Sequence, residues 1–231
     1  MGTTENPTTE GTKPQPSNYV STSEWIAKMR LTFNNATLPE IYGIMQTVGY
    51  DEAKINSLKA KLAALENLQH VQTKEYAEQF SETEKFDMKR AEIDIVFTKQ
   101  RGLLKILLKG NVHAQAILRL DEVKPKAFGA WQDLVTNFYA QLESTPVLLA
   151  EVAKVGVSAA SIAAQKQLLA DLQALKESQR KETAEAQAAT DARDRAFDEL
   201  YPLYSEYIQY AKVLLADNQA LEAVGVKVKA K

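Results

Sequence analysis

Val48-Gly49-Tyr50-Asp51 returns later in the chain as Val155-Gly156-Val157-Ser158, at a separation of 156 − 49 = 107 residues, and the reading of the sequence starts from this pair. Each glycine stands where a helix would end in the left-handed conformation that glycine adopts without a Cβ penalty. Two residues on, the side-chain oxygens of Asp51 and Ser158 can accept from the open N–H groups of a new first turn. Apolar residues flank each cap, Tyr50 with Ile55 and Val157 with Ile162, at the spacing of a hydrophobic staple. A short helix ends and a long one begins at both places.

The same offset, held without a gap, pairs Pro39 with Pro146, Leu62 with Leu169, Leu65 with Leu172 and Leu68 with Leu175. It also pairs Lys74-Glu75 with Lys181-Glu182, Leu107-Leu108 with Leu214-Leu215, and Asn111 with Asn218. Roughly a quarter of the positions between Pro39 and Ile117 match their partners, more than shared helical composition gives along one ungapped frame. The two tryptophans, Trp25 and Trp131, lie 131 − 25 = 106 apart, so a one-residue indel falls between Trp and Pro. The chain reads as an all-α tandem duplication, with a tail at 1–18, a first unit at 19–123 and a second at 124–231.

Neither Gly nor Pro occurs between Asp51 and Arg101, or between Val157 and Tyr201, which argues for long helical segments. Their apolar positions keep three-four spacing: Ile55, Leu58, Leu62 and Leu65, then Ile93, Phe97, Leu104 and Leu107. The second unit repeats this with Ile162, Leu169, Leu172 and Leu175, then Phe197, Leu200, Tyr204, Ile208, Ala211 and Leu215. Between its two apolar stretches, Lys176–Arg195 is made mostly of Lys, Glu, Gln, Arg and Asp with almost no apolar residue larger than Ala. The expected unit is two short helices with a long antiparallel helical hairpin in bundle-like packing, turning near Phe80 and near Gln187. The rival is one continuous helix per unit, whose two apolar ends would need different partners. Neither turn holds strong turn residues, although Ser81-x-x-Glu84 has the form of a capping box. Pro202 predicts a kink or restart near Leu200, because proline inside a helix costs about 3 kcal/mol.

With 231 residues, 45% of them hydrophobic, the chain can bury one large core or two small ones without a metal or disulfide. It contains no cysteine, which removes disulfides, thiolate zinc sites and thiol nucleophiles together. Acidic residues number 30 against 28 basic ones, so the positive field expected of a nucleic-acid binder is missing. Residues 1–18 lack any apolar run and read as a disordered tail rather than a signal or anchor. Gly2 heads a weak myristoylation motif, since Asn6 stands where Ser or Thr is usual. The most apolar stretch, Pro146–Ala164, is interrupted by Glu151 and Lys154, so a spanning helix is not expected. The expectation is a cytoplasmic protein, with leaderless export left open.

Candidate chemistry is sparse. Of the two histidines, His70 lies four residues from Glu66, but carboxylate-bridged diiron bundles need two Glu-x-x-His motifs and none is present. His113 follows Gly110 and reads as a loop or cap residue; Asn111 and Asn218 read as helix-end residues. There is no phosphate loop, no G-x-S-x-G and no H-E-x-x-H, and the carboxylates sit beside Lys or Arg on polar faces. No catalytic, metal or cofactor residues are therefore assigned, and no cofactor is expected. The most suggestive group is Tyr201, Tyr204, Tyr207 and Tyr210, an interface candidate because exposed Tyr is enriched at protein contacts. Steps of three drift by about 60° each around a helix, so Tyr204 and Tyr207 should be buried and Tyr201 and Tyr210 partly exposed.

The stretch Ala211-Lys212-Val213-Leu214-Leu215-Ala216-Asp217-Asn218-Gln219-Ala220-Leu221-Glu222-Ala223-Val224-Gly225-Val226 resembles the ending of uncharacterised bacterial all-helical proteins. In those an aliphatic helix is followed by Asp, a Pro-Gln-like step, Leu-Glu and a terminal Leu-Gly-Ile; here Ala220 and Val224 depart from the pattern and the Pro is absent. The resemblance implies a helical fold and no particular activity. The period and the early Trp also resemble spectrin repeats, which lack the Pro-initiated helix and glycine cap. The function expected is that of a non-enzymatic structural or interaction protein, acting by helical self-association or by binding another protein. The alternative is a membrane-active helical protein, lipid-binding or pore-forming, in which Pro146–Ala164 refolds onto lipid.

Overall fold

The computed structural model describes residues 20–215 and 218–228, and the tail reading for 1–18, with Gly2 in it, lies outside them. All regular structure among the described residues is helical: α1 (Thr22–Asn35), α2 (Pro39–Met45), α3 (Glu52–Leu107), α4 (Val112–Ile117), α5 (Phe128–Ser144), α6 (Pro146–Val152), α7 (Ala159–Leu214) and α8 (Asn218–Ala223). The punctuation matches the sequence reading. Gly49 and Gly156 close short 3₁₀ turns at φ 87° and 82°. The N–H of Lys54 donates to Asp51 Oδ1 at 2.8 Å, and that of Ser161 to Ser158 Oγ at 3.2 Å. The staple residues Tyr50, Ile55, Val157 and Ile162 are all buried. Pro39 and Pro146 each open a helix, at the position where a missing N–H costs nothing.

The hairpin expectation is corrected. α3 and α7 are each a single helix of 56 residues that runs straight through the two expected turns. The polar middles are made of strong helix formers laced by i,i+4 pairs, Lys74–Glu78 at 3.1 Å and Lys181–Glu185 at 3.3 Å, so the backbone has no local reason to reverse. Ser81 is accordingly an interior helical residue and caps nothing. Pro202 likewise lies inside α7 without a restart. Both Pro202 and Asp198, whose carbonyl loses its donor, are exposed, so water can satisfy that carbonyl. The count of short helices is corrected too: α4 and α8 follow the long helices, and the Asn111 side chain caps α4 by accepting from Ala114 N–H at 3.0 Å.

Two compact bodies divide the chain differently from the sequence halves. A terminal body draws on residues 1–67 and 193–231; a central body comprises 68–192. The reason is the one the continuous-helix reading required, since the two apolar ends of each long helix find different partners. In the terminal body, Ile55, Leu58, Leu62 and Leu65 of α3 join Leu200, Tyr204, Tyr207 and Ala211 of α7 in one core, closed by Ile26, Met29 and Phe33 of α1. In the central body, Ile93, Phe97 and Leu104 of α3 join Ile162, Leu169 and Leu172 of α7, closed by Trp131, Leu134, Phe138 and Leu142 of α5. The long helices run antiparallel within each body: Lys61 meets Glu199 while Tyr50 meets Tyr207, and Thr83 meets Gln179 while Phe86 meets Lys176.

Candidate functional site

The four tyrosines are placed largely as their winding requires. Tyr204 and Tyr207 are buried, at 7% and 0% exposure, whereas Tyr210 is 39% exposed and Tyr201 half-buried. They belong to an aromatic cluster: Tyr207 meets Tyr50 and Phe33 edge-on, and Tyr201 stacks on Phe197 and meets Trp25. Burial pushes the Tyr207 hydroxyl up to about 12 and also raises those of Tyr50 and Tyr204. The Tyr50 and Tyr207 hydroxyls are buried without a hydrogen-bond partner. Of the four, only Tyr201 and Tyr210 leave ring surface exposed, because Tyr204 and Tyr207 are spent in the core.

His70 and His113 are both exposed, and Glu66 is engaged at 2.7 Å by Arg30, so no ligand pair forms on that helix face. The one carboxylate group dense enough to hold a cation among the described residues lies elsewhere, in the central body. Glu75, Glu182 and Glu185 bring oxygens within 4.8 Å of one another across α3 and α7. Lys74 at 3.6 Å from Glu75, and Lys181 at 3.7 Å from Glu182, already supply positive charge there. The repeat pairing of Lys74-Glu75 with Lys181-Glu182 was visible in sequence; their meeting was not, because it depends on the long helices remaining straight.

An apolar patch in the central body was also missed. Val147 of α6 is 83% exposed, and Ile106 and Val112, near the end of α3 and the start of α4, are 77% and 78% exposed. Val147 borders a cavity of about 460 Å³ whose wall includes Leu107, Leu108, Ala114, Ile117 and Leu148. Local signals build it: α3 ends after Leu107, the chain turns through Gly110, and Asn111 starts α4, while Pro146 starts α6 opposite. The Gln115 side chain donates to the Leu108 carbonyl at 2.8 Å and ties that turn down. His113 and Glu151 give the cavity a polar edge. At one period the counterparts of Val112 and Val147 are Gln219 and Glu40, while Ile106, Leu107 and Leu108 recur as Val213, Leu214 and Leu215. Comparison with protein-family models, with curated proteins and with solved structures gives no match.

Proposed function

We propose that this chain is a non-enzymatic interaction protein, a tandem duplication of one helical unit, that associates with a second copy of itself through the apolar patch of the central body. The observation that carries this reading is a cavity with aliphatic walls bordered by Val147, which is 83% exposed. A contact in which this patch faces the same patch of a second copy is isologous and closes as a dimer rather than growing into a filament. A net charge of −2 sets little repulsion between copies. Duplication is supported by two 56-residue helices whose bounds are both one period apart. Matched turns after α4 and α8 support it as well, where Leu120 N–H bonds Gln115 O and Val226 N–H bonds Leu221 O, each at 3.0 Å.

The membrane-active alternative draws on α6 and α7, which are apolar enough together but bend by 98° at their junction, while no single described helix is long and apolar enough to span. Leu148, Val152, Val157 and Ile162 of that stretch are core residues, so lipid insertion would first require unpacking the central body. Light scattering separates the readings. The wild type should run as a dimer, and Val112→Glu with Val147→Glu as a monomer with unchanged helical circular dichroism. A wild type that stays monomeric at high concentration refutes self-association, and flotation with vesicles would favour the alternative.

A further inference from the structure

Four large apolar side chains of α3 stand out from the central body into solvent: Phe80, Met88, Ile95 and Ile106, at 71%, 60%, 70% and 77% exposure. They follow one another at steps of 8, 7 and 11 residues. At about 100° per residue those steps keep all four within an arc of about 80°, so they form one stripe about 39 Å long. Glu84, Ala91 and Gly102 fall inside the same arc and are exposed as well. At Gly102 nothing lies within 4 Å of where a Cβ would stand, which leaves a second helix room to approach.

The duplicated unit serves as an internal control. One period on, Phe80, Met88 and Ile95 become Gln187, Arg195 and Pro202, in a helix of the same 56 residues. The fold therefore accepts polar residues at these places, and the stripe is not needed to build it. Contiguous apolar surface of this kind marks a contact. Its charges describe what covers it. Glu84 lies on the midline of the stripe, and the neighbouring ion pairs, Lys85–Glu82 and Lys89–Glu92, do not use it. After Asp94 the helix carries no further acid, and the exposed Lys99 and Lys105 flank the stripe on opposite sides.

We infer that this stripe binds an amphipathic helix of another protein, with Lys or Arg in its apolar seam opposite Glu84 and acids beside the seam opposite Lys99 and Lys105. Aliphatic seam residues of such a helix cover Phe80, Met88, Ile95 and Ile106, as in helix pairs generally. A second copy of α3 is a poorer match. From Phe80 to Ile106 the stripe holds one acid and no base, so two facing stripes bury both Glu84 carboxylates with no seam cation. Lipid meets the same objection, and residues 1–18 have no apolar run to lay along the stripe. Phe80, Met88 and Ile95 lie outside the surface proposed for self-association, so either reading can fail alone.

The probe is a fluorescein-labelled synthetic helix of about four heptads, with Leu along its seam except for one Lys and with Glu flanking one half. Its anisotropy should rise saturably with the wild-type chain. A twin peptide with Glu in place of the seam Lys should bind about tenfold more weakly or worse, and Glu84→Lys should reverse that preference. Phe80→Ser with Ile95→Ser should lose binding and keep helical circular dichroism, since both side chains stand in solvent. No saturable binding, undiminished binding by that double variant, or a preference unmoved by Glu84→Lys would overturn the inference. If the double variant instead turns a wild-type dimer into a monomer, the occupant is a second copy and a partner of another kind is overturned. Flotation with phosphatidylcholine vesicles that the double variant loses would overturn it in favour of lipid.

Discussion

Replacing Arg101 by Met removes the side chain that makes the most hydrogen bonds to the backbone of the segment between α4 and α5. Its Nη2 lies 2.8, 2.9 and 2.5 Å from the carbonyls of Arg119, Leu120 and Glu122, but carries only two hydrogens, so the three contacts amount to two full bonds. Bonds to a charged donor contribute about 1.5–3 kcal/mol each, and the guanidinium's own desolvation, which lowers its affinity for the proton, offsets part of that. The expected loss is about 2–3 kcal/mol, concentrated on residues 119–126 because the leucines and aromatics of the core are untouched. Trypsin reads it directly, since Arg119 and Lys126 are cleavage sites within the freed segment, whereas Pro125 protects Lys124. Cleavage there should quicken about 30- to 150-fold, in proportion to the open population. Arg101→Lys should recover only part of the protection, lacking the planar fork. Rates within about twofold of wild type for Arg101→Met would refute the reasoning, since they would mean that Lys124–Asp94 and Arg90 hold the segment without it.

Other outcomes follow from buried hydroxyls and from glycine. Tyr207→Phe should leave thermal stability unchanged or raise it, because the hydroxyl it removes has no partner. Tyr139→Phe should lower stability by about 1 kcal/mol, because Gln100 Oε1 loses the 2.8 Å bond that Tyr139 donates. Tyr207 is also an alkaline weak point. Its folded pKa is raised above the ordinary 10 to about 12, so its contribution is complete below pH 10 and is lost as pH climbs through 12. Alkaline titration followed by circular dichroism should show a shallower loss in Tyr207→Phe than in the wild type. Gly156→Ala should cost about 1–2 kcal/mol in urea unfolding, since φ of 82° is strained for an L side chain although no atom lies within 4 Å. Gly102→Ala, in open space inside α3, should instead stabilise by about 0.5–1 kcal/mol.

Backbone punctuation was the most legible part of the sequence. Gly49, Gly156, Asp51, Ser158 and the two prolines each carry a local constraint, and local constraints survive whatever the rest of the chain does. The course of the long helices was less legible, because three-four spacing tells which residues face a helix and not which helix. Leu175 and Phe197 satisfy a fold-back and a distant partner equally well on paper. The polar interval between them reads as a tip only if polarity is taken for exposure, whereas Ala186 and Ala189 within it are buried. Tyr204 and Tyr207 were legible as core from their angles on the helix. The patch at Val112 and Val147 was not, since a valine in a short helix gives no sign of whether anything covers it.

The division of labour along α3 and α7 carries a consequence for any attempt to cut the protein in two. A fragment ending at Val123 would keep Ile55–Leu65 and Ile93–Leu104 but lose the stretches of α7 that bury them. Such a fragment is no domain. An isolated fragment of this kind is expected to pair antiparallel with a second copy, each lending the other the helix it lacks.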